Sequence, residues 1–174
     1  MTLLELTGQL SKTPIKNRKN INDKENFYTE EEKYWLTGGN TETLPDSITP
    51  SKTNVLKQNE IFVFGSNIKG AHLGGAARAA YNKFGAEWGN GEGLQGKSYA
   101  LPTMEGLEST KKAFEHFTQC AKEHQELVFF VTPVGCGIAG YTSTKIAPLF
   151  RDAAQLSNVY LPISFWKNLM GFTE

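Results

Sequence analysis

Long hydrophobic runs, a set of paired cysteines and an excess of one charge are all missing from this chain of 174 residues. Each absence excludes something. No apolar stretch reaches the roughly 20 residues that a membrane-spanning helix needs. The opening MTLLELTGQL is too short and too polar for a secretion signal, and no small-residue cleavage pattern follows it. No membrane partner is expected. Lys and Arg number 18, as do Asp and Glu, so the formal net charge is zero. No global field draws such a chain to nucleic acid or to an acidic surface, and neither is an expected partner. The cysteines are Cys120 and Cys136 alone. They make no disulfide framework and point to reduced thiols in a cytoplasmic protein. His72, His116 and His124 are scattered, and no Cys or His pair has metal-ligand spacing. Neither a metal nor a cofactor is expected.

Two nucleotide motifs are also missing. No Lys stands in a GxxxxGK[ST] arrangement, which excludes an ATPase phosphate loop. No GxGxxG follows the first strand, which argues against an ordinary NAD dehydrogenase site.

What is present begins with a change of composition near residue 60. Residues 1–26 are polar, with SKTPIKNRKNINDKEN rich in Lys and Arg. Such a segment buries too little to offset its chain entropy, and a flexible tail is expected. Residues 27–58 read as a short helix and a linker packed on the main body. Thr29 and Glu32 fit a capping box, and the glutamates at 30–32 suit the first turn of a helix. Phe27, Tyr28, Tyr34, Trp35 and Leu36 supply an apolar face, and TLPDSITPSKTN is a linker with two prolines.

Residues 59–174 alternate regularly. EIFVFG is a buried strand, and GGAARAAYNKFGA carries a helix with Ala76, Ala77, Ala80 and Phe84 near one face. GNGEGLQG is a glycine loop and KSYALPT a strand. LESTKKAFEHFTQCAKEHQE is an amphipathic helix, LVFFVTPV a second wholly apolar strand, and GCGIAGYTS another glycine loop. TKIAPLFRDAAQL starts a third helix, and VYLPISF is a last strand or strand-like tail. Continuous apolar strands alternating with helices predict an α/β fold with a sheet covered on both faces.

Two of these apolar strands, Ile61–Phe64 and Leu127–Val131, lead through glycine-bearing loops into helices. In open α/β sheets ligands bind beyond the carboxyl ends of the strands. If both strands run parallel, the two loops become opposite walls of one cleft. The chemistry suits a diphosphate. Glycines let backbone N–H groups approach phosphate oxygens, and the following helices add N-terminal N–H groups and the positive end of a dipole.

These loops resemble those of the macro domain, an ADP-ribose-binding α/β module. Asn67, His72 five residues on, and then Gly74, Gly75, Ala76 and Ala77 resemble the N-x-x-L-K-H-G-G-G-V-A run of viral-type macro domains. TPVGCGIAGY resembles their second phosphate loop, with Gly137, Ile138 and Gly140 in register. The stretch from Glu60 to Trp166 is also similar to a bacterial and phage family with the pattern FGSN…G.GLQG.SYA.PT…GCG.AGY.

The resemblance implies a three-layer α/β/α fold and an ADP-ribose-like or other NAD-derived ligand, free or carried by an ADP-ribosylated protein. It implies that Asn67 meets the distal ribose. Gly65 and Ser66 lead into that wall, and the backbone of Gly74, Gly75 and Ala76 lines the ribose and phosphates. Gly135, Cys136, Gly137, Ile138, Ala139, Gly140 and Tyr141 wrap the diphosphate from the other side. The chain departs from the macro pattern at three places. Ala139 stands where an aromatic residue is common, Ala77 stands where some hydrolases carry an acid, and the acidic adenine motif has only Asp46 as a stand-in.

Each residue also has a plain reading. Asn67 caps a turn or meets ligand. His72 is a solvated loop residue or, facing the cleft, an acid or base. Glu92 is a solvated carboxylate or a base activating water at the ribose C1″ position. Gln95 is available to read an amide or hydroxyl edge. Cys136 precedes a helix, where thiolates are stabilised, but no His or Asp is tied to it in sequence, and packing is its expected role. Arg78 either meets a phosphate or faces solvent, and Trp88 and Trp166 are read as core or edge aromatics.

Three functions remain open on this evidence. The first is a hydrolase of ADP-ribosyl linkages, using Asn67, His72 and Glu92. The second is a non-catalytic sensor or sequestering protein for such a nucleotide, for example in phage–host conflict. The third is an interaction module whose glycine loops are only turns.

Overall fold

The strand EIFVFGS, residues Glu60–Ser66 (β1), is apolar on both of its sides, so it folds only where both faces are covered. Ile61 and Val63 point into one apolar cluster with Phe117, Phe129 and Trp166. Phe62 and Phe64 point into another with Ala80, Phe84 and Phe130. The period of two along a strand puts these clusters on opposite faces of the sheet.

The computed structural model of this chain describes residues 28–172. The expected tail over residues 1–26 lies outside them, as does Phe27. The remaining elements are α1 (Glu30–Leu36), α2 (Gly75–Lys83), β2 (Gly93–Gln95), β3 (Ser98–Pro102), α3 (Leu107–Glu123), β4 (Val128–Val131), α4 (Ser143–Ile146), β5 (Val159–Tyr160) and α5 (Ile163–Met170). The sheet has five strands in the order β2-β3-β1-β4-β5. β1 pairs parallel with β3 (Val63 opposite Tyr99) and with β4 (Val63 opposite Val131). β5 is parallel to β4, and β2 is an antiparallel edge on β3. The fold is mixed α/β.

The smaller cluster takes Ala80 of α2, with Phe84 at its C-cap. The larger takes Ala113, Phe114, Phe117 and Ala121 of α3, spaced for one helical face. It also takes Phe165, Trp166, Leu169 and Met170 of α5. At α1 the Thr29 hydroxyl accepts from Glu32 N, and the Glu32 carboxylate accepts from Thr29 N, which completes the capping box. The same carboxylate ties α1 to the body, accepting from Arg151 at 2.7 Å and from Gln155 Nε2 at 2.5 Å.

Two sequence expectations differ from the structure. The third helix is α only over Ser143–Ile146 and continues as 3-10 turns at Ala147–Phe150 and Ala153–Gln155. Pro148 has no N–H to give an α-helical ladder and breaks it. The last strand is only Val159–Tyr160. Pro162 then caps a helix over ISFWKNLM, part of which was expected to be strand. Among the described residues, no helix is long and apolar enough to cross a membrane, and no group of three His, Cys, Asp or Glu side chains is placed to hold a metal.

Candidate functional site

Because β3, β1 and β4 run parallel, their carboxyl ends reach the same edge of the sheet. Backbone bonds knit that edge together. Thr103 N donates to Ser66 O (3.0 Å), and Thr132 N and Oγ1 both donate to Val63 O (3.1 and 2.7 Å). Beyond it lies a cavity of about 460 Å³, within the usual range for small-molecule sites. The loop after β1 forms one wall and the loop after β4 the other. They come close at their base, where a Cβ on Gly65 would stand 3.5 Å from Gly135 N.

The first wall is built by its own side chains. Asn67 Oδ1 accepts from Ala71 N (3.1 Å), and Asn67 Nδ2 donates to Ala71 O (3.0 Å). This pairing with one donor and one acceptor fixes the orientation of the amide. Gly70 N closes the turn onto Asn67 O at 2.9 Å. Helix α2 then opens at Gly75 with φ +60°, a conformation that favours glycine. Its N-cap, Gly74, has no side chain to satisfy the first-turn donors.

The second wall is a run of tight turns. Cys136 N donates to Pro133 O, Gly140 N to Gly137 O and Tyr141 N to Gly135 O. Ile138 sits at the tip, 95% exposed. Among the described residues, the N–H groups of Gly75, Ala76 and Ala77 on one wall and of Gly137, Ile138 and Ala139 on the other have no acceptor. Donors at a helix N-terminus project beyond it. Two sets of unpaired amide donors therefore border one cavity.

The loop GNGEGLQG lies behind the first wall. Ser66 Oγ donates to Gly91 O at 2.5 Å, and Gly89 N donates to Gly70 O at 2.9 Å. A Cβ on Gly91 would overlap the carbonyl oxygens of Asn67 and Ile68, so only glycine allows this approach. Gln95 is buried and clamps the loop from inside. Its Oε1 accepts from Glu87 N (2.7 Å), and its Nε2 donates to Asn90 O and Gly93 O (both 3.2 Å).

Of the residues singled out from the sequence, Gly65, Ser66, Asn67, Gly74, Gly75 and Ala76 line the cavity from the first wall, and Gly135, Gly137, Ile138 and Ala139 line it from the second. Cys136, Gly140 and Tyr141 belong to the second loop but lie outside the lining. Burial pushes the Cys136 thiol up, with a hydrogen bond from Ser143 pulling the other way, so it is no activated thiolate.

Three residues need correction. His72 is not in an exposed loop. Its ring is fully buried against Phe64, Tyr81 and Trp88, with Nε2 2.8 Å from Glu87 O. Its chain neighbours Ala71 and Leu73 face the cavity, so the imidazole anchors the wall from behind. Glu92 does not line the cavity either. Its carboxylate lies 2.9 Å from His116 Nδ1 on α3. It also helps raise the pKa of the buried Tyr99 hydroxyl, behind burial itself and Cys120. Gln95 spends its amide on the backbone and has no free edge to read a ligand.

Thr103, Met104 and Thr132 line the cavity and were not singled out. The signal for them was available: each follows closely on the end of a strand that the pattern located. No side chain lining the cavity titrates in the physiological range. Comparison of the chain with protein-family models, curated proteins and solved structures finds no match.

Proposed function

We propose that this chain is a three-layer, macro-domain-like module that binds ADP-ribose or a related NAD-derived nucleotide in the cavity between its two glycine loops, and acts as a sensor or sequestering protein. The observation that carries this reading is the pair of unpaired amide sets, Gly75–Ala77 and Gly137–Ala139, bordering one cavity at the carboxyl edge of a largely parallel sheet. Neutral amide donors on both sides suit a diphosphate held by backbone.

Binding is favoured over hydrolysis by the chemistry of the lining. A general acid or base must reach the reacting atom within hydrogen-bond distance or through one water. The lining offers Ser, Thr and Asn side chains among small and apolar residues, and the Asn67 amide is already engaged. The test is a thermal-shift and calorimetric series with ADP-ribose, NAD, AMP and cyclic nucleotides. At a hundredfold excess over its dissociation constant, the true ligand adds about 2.7 kcal/mol of stability. That corresponds to a rise in Tm of about 5–10 °C. The absence of a shift with every nucleotide retires the reading. Turnover of ADP-ribosylated protein that disappears in Glu92→Gln reinstates the hydrolase.

A further inference from the structure

The base of the cavity holds a hydroxyl that the fold leaves unused. The polar side chains in the lining are Ser66, Asn67, Thr103 and Thr132. Ser66 gives its proton to Gly91 O, and Thr132 gives its own to Val63 O. The Asn67 amide is closed onto both backbone polar atoms of Ala71. Of these side chains, Thr103 alone has no hydrogen-bond partner among the described residues. Thr103 is only 3% exposed. A buried hydroxyl without a partner costs stability, and each such group in a native fold calls for an explanation.

The sheet sets where this hydroxyl stands. Thr103 follows β3 directly, and its N–H donates to Ser66 O at the carboxyl end of β1 (3.0 Å). Thr103 Oγ1 and Gly135 N each lie 3.5 Å from the place that a Cβ on Gly65 would take. Both residues belong to the lining. The Gly135 N–H also has no acceptor among the described residues. Two unused donors therefore flank Gly65, where the walls come closest. The fold itself does not demand glycine at this position. Gly65 is not among the glycines of positive φ, and a Cβ there would make only ordinary contacts. What the missing side chain keeps is room beside the two donors.

We propose that the Thr103 hydroxyl, with the Gly135 N–H, is the floor of the phosphate cradle and donates to a non-bridging oxygen of the ligand's diphosphate. The inference rests on the nucleotide reading above and names the side chain that reads the diphosphate between the two walls of amides. A hydrogen bond to a charged oxygen is roughly twice as strong as one between neutral groups. A hydroxyl with no internal bond to break is already prepared for that contact.

The test is calorimetry with ADP-ribose and with ADP, which share a diphosphate, on wild type, Thr103→Val, Thr103→Ser and Gly65→Ala. The melting temperature of each protein is measured without ligand. Thr103→Val removes the hydroxyl and retains the branched shape. It should melt no lower than wild type and bind both nucleotides about ten- to a hundredfold more weakly. Thr103→Ser should bind within a few fold of wild type, and Gly65→Ala should melt near wild type and bind more weakly. Unchanged affinity in Thr103→Val overturns the floor and leaves the cavity reading standing. A Thr103→Val protein that melts well below wild type also overturns it, because the fold then does use the hydroxyl. So does a loss in Thr103→Ser as large as that in Thr103→Val. A loss confined to ADP-ribose moves the hydroxyl to the distal ribose and overturns the diphosphate contact. Binding of neither nucleotide by the wild type overturns the floor and the nucleotide reading together.

Discussion

Replacing Gln95 by alanine separates two roles that the sequence left open for it. A ligand-reading amide at the mouth of a site costs affinity when removed and little stability. The structure makes Gln95 a clamp: buried, with three hydrogen bonds to the backbone of Glu87, Asn90 and Gly93. In Gln95→Ala the Glu87 N–H loses the acceptor it has among the described residues, and leaving a partly buried donor unsatisfied costs up to about 1–3 kcal/mol. The Asn90 and Gly93 carbonyls share the same Nε2 at longer range and lose less. The expected destabilisation is about 2–3 kcal/mol, or a fall in Tm of roughly 5–10 °C for a chain of this size. Gln95→Glu keeps the acceptor and loses the donors, so it should fall between alanine and wild type near neutral pH. Urea denaturation of the three proteins, with unchanged slope, is the assay. A change below about 0.5 kcal/mol in Gln95→Ala, within the range of ordinary surface substitutions, would refute the clamp.

Two further outcomes follow from the same geometry. Gly91→Ala places a Cβ on the carbonyl oxygens of Asn67 and Ile68, so the first wall must move; overpacking of this kind costs about 1–3 kcal/mol, and calorimetry should show weaker nucleotide binding even at temperatures where the variant is fully folded. The second concerns alkaline pH. Burial raises the Tyr99 hydroxyl above its ordinary value of 10.0 and the thiols of Cys120 and Cys136 above 9.0. Acids held protonated by the fold are released by the unfolded chain, so their contribution is complete below pH 9 and is lost as pH rises through 9–10 and beyond. Denaturation midpoints should therefore fall above pH 9, less steeply in Tyr99→Phe, and a stability that rises towards pH 11 would contradict the assignment.

The parts of this architecture that sequence reveals are those where one physical demand acts alone. β1 and β4 are apolar on both faces because both faces are covered, and that pattern marks them as central strands. Parallel central strands bring their following loops to one edge, so the meeting of residues 65–77 and 132–139 was foreseeable before any coordinates. The Thr29–Glu32 capping box is a local interaction and was equally visible.

What sequence hid are the places where two demands compete. His72 sits in a polar loop, but the aromatic rings it joins come from β1, α2 and the turn at Trp88, which only the tertiary fold assembles. Glu92 and Gln95 stand three residues apart and look alike as loop polar residues. Gln95, in β2, turns inward to the backbone, and Glu92, just before that strand, turns outward to α3. In ISFWKNLM a helical spacing of Phe165, Trp166, Leu169 and Met170 was masked by the proline just before it.

The glycine-rich loop behind the first wall changes how the site is understood. Three glycine loops in sequence suggest three ligand contacts, and the middle one carries the only acid. Its glycines instead answer to crowding: Gly91 passes against the Asn67 and Ile68 carbonyls, and Ser66 and Gln95 fasten the loop at either end. The two cavity walls therefore differ in stiffness. The first is braced by the middle loop and by the buried His72. The second is held by its own turns and by Cys136 and Tyr141 at its base, which pack on the larger core, while the Ile138 side chain is bare at the tip. A preformed wall of amide donors costs no reorganisation when an anion arrives, while the bare apolar tip gains by covering whatever lies beneath it. Ligand binding should therefore order the 135–141 loop and leave the 66–77 wall nearly unchanged. Hydrogen exchange with and without nucleotide measures this directly, and equal protection gained on both walls would show that the brace does not hold the first wall in its binding form.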